Sequence, residues 1–442
     1  MDVFLPRGTR DLLPEQMKNR LRVIEIVRGV FARFGFEPLE TPAFERIETL
    51  TGKYGDEGDK LIYRILKRGE GSDQGESDLA LRYDLTVPLA RVMAMHPEIR
   101  LPFRRYQIQP VWRADRPQKG RFREFWQCDV DLVGSTSPLA DAECVAVVDS
   151  CLKTLGFSKY TIRVNDRRIL ADMARIAGAT NPKEETSVLI ALDKLDKIGR
   201  DKVHAELLGR GFVEANLQAF WDVAELSGDN DAILHALNTV LSESGRQGVE
   251  VLRQLLQGAI ALGVAPAAIQ IDLTLARGLD YYTGPVFETV VDEPKIGSIS
   301  GGGRYDELIG MFSPTPLPAV GVSLGLERLI TVMEELGMLP SAGTATEVLV
   351  AQWGADTLPE TLDAARRFRE AGIRTELFTE PAKLAKQFKH ANARGYRWLA
   401  LVGADEKAAG TISLKDLLRG EQSSLSIADA IAAVQKAGTL DA

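Results

Sequence analysis

Residues 103–133 read FRRYQIQPVWRADRPQKGRFREFWQCDVDLV. Two runs, Phe103–Val111 and Glu124–Val133, have the aromatic and β-branched content of strands, and a charged segment joins them. The pattern predicts a β-hairpin. Counted from Arg100 to Glu124, the stretch holds eight basic residues (Arg100, Arg104, Arg105, Arg113, Arg116, Lys119, Arg121, Arg123) against Asp115 and Glu124. The chain as a whole carries a formal charge of −8, so this is a local concentration of positive charge. A charge run alone reads as a solvated hairpin. Three features argue for a ligand instead. Arginine outnumbers lysine, which suits planar, bidentate phosphate recognition. Pro117-Gln118-Lys119-Gly120 makes a loop tip that can move over a ligand. Phe122, Phe125 and Trp126 interleave with the arginines, as stacking on a base requires.

Outward from the hairpin, Leu21, Ile24, Val27, Val30, Phe31 and Phe34 recur at helical spacing, predicting a helix over Pro14–Phe34 that Gly35 stops. Phe36–Leu39 reads as a short strand. Tyr54–Ser77 reads as a mobile loop around one strand at Leu61–Leu66. From Arg167 to Leu262 aromatic residues thin out and Ala and Leu dominate at helical spacing, which predicts a mainly helical insertion. Strand-like sequence returns at Ile269–Thr274 and Pro285–Val291, and Gly321–Leu336 reads as a strand running into a helix. Thr344–Thr346 reads as a linker. Beyond it, β-like runs (Val348–Ala351, Thr375–Leu377, Trp398–Val402, Gly410–Leu414) alternate with helices (Thr357–Ala371, Ala382–Arg394, Ile427–Ala437), predicting a small separate α/β domain. The expected division is 1–166 and 263–340 as two parts of one domain, 167–262 as the insertion, and 346–442 as the last domain.

Composition excludes several classes. The chain has 442 residues, 26% charged and 45% hydrophobic, as in a globular protein of two to four domains. No basic segment followed by an apolar run opens it, and no stretch reads as a membrane span. Cys128, Cys144 and Cys151 form no C-x-x-C pair, which favours a reducing cytoplasm over a disulfide framework. Four scattered histidines make a zinc site or a Ser-His-Asp site an unpromising basis for chemistry. Neither a P-loop nor a G-x-G-x-x-G turn is present.

Three further stretches are weak singly. Ala276–Gly284 places Arg277 before Gly278 and two adjacent tyrosines, Tyr281 and Tyr282, which on a strand would face opposite sides. Ser300–Asp306 carries Gly301, Gly302 and Gly303, a tight loop or a place where backbone approaches a ligand. Gly321–Leu329 sets Arg328 in the first turn of a helix, where it is equally readable as a surface residue beside Glu327.

Together the four stretches resemble the motifs of class II aminoacyl-tRNA synthetases, and among them the histidyl-tRNA synthetases. Pro6–Asp11 is similar to that family's N-terminal segment, the helix to Phe34 and strand to Pro42 to motif 1, Val111–Val133 to motif 2 and Gly321–Leu329 to motif 3. Arg277–Gly284 and Gly301–Asp306 are similar to its two histidine signatures. The resemblance covers nearly the whole chain. It implies an α+β fold: an antiparallel sheet flanked by helices, a helical insertion and a C-terminal α/β anticodon-binding domain. It also implies adenylation of L-histidine by ATP, followed by transfer to the 3′ end of tRNA(His).

Neither step needs a protein nucleophile; both need reactants held in line and phosphate charge neutralised. By the resemblance Arg113 and Arg277 are catalytic, flanking the α-phosphate. Arg121 and Arg328 take the β- and γ-phosphates, and Phe125 with Arg328 sandwiches adenine. Magnesium arrives with ATP, and no protein-held metal is implied. The α-ammonium goes to Thr86, Gln127 and Asp131; Asp84, Tyr282 and Tyr305 serve the imidazole, and Tyr281, Gly302 and Arg277 complete the histidine pocket. For tRNA the resemblance implies Arg116, Gln118 and Lys119 in the motif 2 loop and a basic helix face of Lys383, Lys386 and Lys389. The insertion would clamp the acceptor arm, though Leu192–Ile198 within it suggests no chemistry. Motif 1 implies a homodimer through Pro14–Phe34. The competing reading is a non-catalytic paralogue, the regulatory subunit of ATP phosphoribosyltransferase.

Overall fold

The computed structural model describes residues 3–54, 58–68, 75–279, 281–340, 346–380 and 382–438. Parts of the loop expected at Tyr54–Ser77, Asp280 of the Arg277–Gly284 stretch and most of the linker at Thr344–Thr346 lie outside the described residues. The chain divides into two compact units, Met1–Asp11 with Arg20–Leu339 and Leu12–Asn19 with Pro340–Ala442.

The first unit is built on an eight-stranded sheet. Its strands are β1 (Glu37–Pro38), β5 (Phe103–Trp112), β6 (Glu124–Val133), β7 (Thr161–Asp166), β8 (Ile269–Ile271), β9 (Pro285–Val290), β10 (Ser300–Arg304) and β11 (Ala319–Gly325), in the order β1-β5-β6-β11-β10-β9-β7-β8. The five pairings from β5 to β7 are antiparallel, and only the edge strands β1 and β8 pair in parallel. β2 (Phe44–Arg46), β3 (Arg64–Leu66) and β4 (Ser77–Leu81) make a small sheet ordered β2-β4-β3.

Helix α1 (Pro14–Arg33) follows the expected periodicity, burying Val23, Ile24, Val27, Val30 and Phe31. Each such side chain is worth about 1.5–3 kcal/mol of transfer free energy. The core they join also contains Cys128, Val130 and Leu132 of β6, Cys144, Val147, Val148 and Leu152 of the helix Pro138–Leu155, and Leu170, Phe220, Trp221 and Leu252 from the helices of the 167–262 segment. One core thus runs from the sheet into the insertion. Arg304, at the end of the glycine-rich stretch, serves structure: it is buried and donates from Nε (3.1 Å) and Nη2 (2.6 Å) to Asp141. Burial still pushes the Asp141 carboxyl up to about 6, with Arg304 opposing the shift.

The second unit holds a five-stranded sheet of β12 (Val348–Ala351), β13 (Thr375–Leu377), β14 (Trp398–Leu401), β15 (Ile412–Asp416) and β16 (Gln422–Leu425), ordered β13-β12-β14-β15-β16, with parallel pairing around β12. Helices Leu358–Glu370, Leu384–Arg394 and Ile427–Gly438 belong to it, and Phe368, Val350 and Val434 lie in its core. Among the described residues no helix is long and apolar enough to cross a membrane.

Candidate active site

The β5–β6 hairpin carries the site. Alternation along β6 puts Phe125, Gln127, Asp129 and Asp131 on one face, and all four line a cleft of about 540 Å³. β11 makes room for them: in the pairing register Gly325 lies opposite Gln127, Ser323 opposite Asp129 and Gly321 opposite Asp131. The residues assigned above to ATP and to histidine all line this cleft, drawn from five separate stretches of the chain. The tRNA candidates lie elsewhere. Arg116 is exposed, Gln118 bridges Arg121 at the hairpin tip, and Lys119 pairs with Glu335. Lys383, Lys386 and Lys389 are exposed residues at and along Leu384–Arg394 in the second unit.

Two local expectations are corrected. Ser300–Arg304 is strand β10 rather than a loop, and its glycines admit neighbouring strands: a Cβ on Gly302 would sit 2.2 Å from the Gly321 carbonyl oxygen. Tyr281 and Tyr282 do not face opposite sides, because this stretch is turn rather than strand. Their ring centroids are 4.5 Å apart, the Tyr281 hydroxyl donates to that of Tyr282 (3.3 Å), and both line the cleft. The turn depends on Gly278, at φ +62°, where a Cβ would fall 1.8 Å from the Tyr282 ring.

Four guanidiniums gather at one end of the cleft. Arg113 donates from Nε to the Tyr83 carbonyl (3.0 Å) and stacks over the Tyr83 (4.2 Å) and Phe125 (5.1 Å) rings. Arg121 is held by Asp115 through two bonds of 3.0 and 2.8 Å. Arg277 pairs with the buried Glu288 (2.7 Å) and donates to Ser298 Oγ (3.0 Å); Arg328 donates to the Ser298 carbonyl (2.6 Å). Ser298 therefore joins two arginines that are 51 residues apart in sequence. Burial, then the charges of Arg121 and Arg277, hold the Arg328 guanidinium below its usual range. Such crowding of like charge is unfavourable until an anion arrives.

The other end is acidic. Asp84 Oδ1 accepts from the Tyr54 hydroxyl (3.1 Å) and the Val87 amide (3.0 Å), in the first turn of the helix Thr86–Met95. Asp131 accepts from the Tyr305 hydroxyl through Oδ1, and its Oδ2 lies 2.7 Å from buried Arg105. Gln127 donates to Ser323 Oγ (2.8 Å). Burial, opposed by the Val87 amide and Arg113, raises the Asp84 carboxyl; burial, opposed by Arg105, raises Asp131. Sequence reasoning missed Asp129, Tyr54, Glu288 and Ser298. Asp129 was detectable, since the even spacing that joins Gln127 to Asp131 includes it. The others become neighbours only through the sheet order. Among the described residues no three His, Cys, Asp or Glu side chains converge as a metal site.

The family model for histidyl-tRNA synthetase matches residues 8–329, and that for an anticodon binding domain matches 347–437. Curated relatives named histidine–tRNA ligase include one from Gloeobacter violaceus, 44% identical over 96% of each chain, and one from Cytophaga hutchinsonii, 42% identical over 95% of this chain and 96% of the relative. A crystal structure of histidyl-tRNA synthetase from Nostoc sp. PCC 7120 superposes with a TM-score of 0.85 at 34% identity, covering 99% of each chain. A Bacillus halodurans structure titled ATP phosphoribosyltransferase regulatory subunit/histidyl-tRNA synthetase shares the fold at a TM-score of 0.72 and 24% identity, covering 88% of this chain and 96% of that one. With the family model matched over residues 8–329 and full-length relatives at 42–44% identity, the chain belongs to the histidyl-tRNA synthetases.

Proposed function

We propose that the chain activates L-histidine with ATP and passes it to the 3′ end of tRNA(His), with the two ends of the cleft dividing the work. The observation that carries this reading is the convergence of Arg113, Arg121, Arg277 and Arg328 with Asp84 and Asp131 in one cleft. Arg113 and Arg277 flank the α-phosphate and stabilise the charge that grows as the histidine carboxylate attacks and pyrophosphate leaves. Arg121 and Arg328 hold the β- and γ-phosphates of ATP, which enters as its magnesium complex. Phe125 and Arg328 sandwich the adenine.

Thr86, Gln127 and Asp131 take the α-ammonium. Asp84, Tyr282 and Tyr305 meet the imidazole, with Tyr281 closing the pocket and Gly302 leaving room beside it. Unmet buried imidazole N–H groups would cost about 1–3 kcal/mol, so paired polar contacts discriminate against apolar rings. Residues 1–166 and 263–340 form the catalytic domain. Residues 167–262 grip the acceptor arm, assisted by Arg116, Gln118 and Lys119. Residues 346–442 read the anticodon, with Lys383, Lys386 and Lys389 tracking its phosphates. The working form is a cytoplasmic homodimer joined through Pro14–Phe34. ATP–pyrophosphate exchange with each of the twenty amino acids, without tRNA, tests the reading. Exchange with histidine alone is the expected result. Folded protein that supports no exchange would shift the assignment to a phosphoribosyltransferase regulatory subunit.

A further inference from the structure

Of the three carboxylates at the acidic end, Asp129 is the least provided for. It is 2% exposed and lines the cleft floor. Asp131 has Tyr305 and Arg105; Asp84 has Tyr54 and the Val87 amide. Asp129 has Gln127 Nε2 at 3.4 Å and the hydroxyl of Ser323 across the strand pair. Among the described residues no cation lies within ion-pair distance of it. Arg105 on β5 feels its charge but pairs with Asp131. Arg82, before the helix Thr86–Met95, is also within its field, yet donates to the carbonyls of Pro110 and Thr41. The other groups facing it are Asp84, Asp131 and the Tyr282 hydroxyl. A buried carboxylate without an ion pair either takes up a proton or waits for a donor.

We propose that Asp129 is a specificity residue that faces the imidazole of bound histidine, and that carboxylate and ring hold one proton between them. This rests on the histidine-activating reading given above. Burial first, and the charge of Asp131 against that of Arg105, push the free Asp129 carboxyl up to about 7. The free imidazole titrates near pH 6.5 (about one unit of scatter). Above both values the carboxylate is ionised and the ring is neutral, with its single N–H given to Asp84 in the reading above, so the donor that faces Asp129 from the second nitrogen is drawn from solvent as one proton. Below both values each carries a proton, so binding releases one. The donor on the ring then meets an acceptor on Asp129, or the reverse. An apolar ring or a simple amide side chain cannot share the proton in this way.

Titration calorimetry of L-histidine into the full-length protein, in buffers of different ionisation enthalpy, reads the proton count directly and needs no variant. Uptake of about one proton at pH 8 and release of about one at pH 5.5 are expected. Asp129→Asn should abolish the uptake at pH 8 and weaken histidine binding at pH 7 at least tenfold. Histidine that binds wild-type protein with no proton change at either pH overturns this inference alone, as does a folded Asp129→Asn protein with wild-type linkage. Protein that neither binds histidine nor supports its pyrophosphate exchange overturns the histidine-activating reading, and this inference with it.

Discussion

The two ends of the cleft are polar in opposite senses and are stabilised in different ways. At the arginine end, each guanidinium is tethered by a carboxylate or carbonyl at its back: Asp115 for Arg121, Glu288 for Arg277, backbone oxygens for Arg113 and Arg328. At the acidic end, the carboxylates are buried and only partly neutralised by Arg105, by Arg113 and by hydroxyl and amide donors. The first arrangement keeps its charge at any physiological pH, since an arginine does not titrate there. The second is built from groups whose proton affinity burial has raised. A site can thus present a permanent field to a triphosphate and an adjustable one to an amino acid that itself titrates near neutrality.

The sharpest way to break this contrast is at Arg277. Arg277→Ala should keep the fold, because the side chain is about half exposed, but lower the thermal midpoint, because buried Glu288 loses its ion-pair partner. It should cost roughly 3–4 kcal/mol of transition-state stabilisation, or on the order of 10²–10³-fold in the rate of histidine-dependent pyrophosphate exchange. Near-normal exchange would remove Arg277 from the chemistry. The acidic end should respond differently. Asp84→Asn removes a charge while keeping a group that can accept from Tyr54 and Val87. The KM for histidine should rise roughly ten- to hundredfold, as for a lost charge-assisted hydrogen bond, with a smaller change in kcat. A variant that loses kcat while keeping KM would place Asp84 outside the recognition site.

A smaller effect should appear in stability. Asp129 and Asp141 titrate in the folded protein at about 7 and about 6, above the unfolded value near 3.9. Their stabilising contribution is therefore complete below about pH 4 and lost as pH rises through 6 and 7. The thermal midpoint of the ligand-free protein should fall by a few degrees between pH 5 and pH 8, and Asp129→Asn should flatten that decline. An unchanged slope in the variant would mean that Asp129 does not lose its proton between pH 5 and pH 8.

The sequence disclosed these two ends unequally. The hairpin, helix α1 and the alternation of the last hundred residues were legible because periodicity and turn residues are local signals. The arginine end was legible only in part. Of eight basic residues in Arg100–Glu124, only Arg113 and Arg121 line the cleft. Arg105 is buried against Asp131, Arg104 pairs with Glu143, and Arg123 donates to the carbonyls of Arg7 and Asp115. Composition counts charge without direction. β10 was hidden because three glycines contradict strand propensity, and it forms because close packing against β9 and β11 demands them. Glu288 and Ser298 carry no motif; only the sheet order brings them under Arg277.

The contrast between a fixed and a titratable end is tested most directly by measuring both KM values in histidine-dependent pyrophosphate exchange from pH 7 to pH 8.5. The KM for ATP should stay within about twofold, because no arginine titrates in that range. The KM for histidine should climb toward tenfold per unit above about pH 7.5, as the shared proton becomes harder to supply. A flat histidine KM, or a parallel rise in both, would contradict the account.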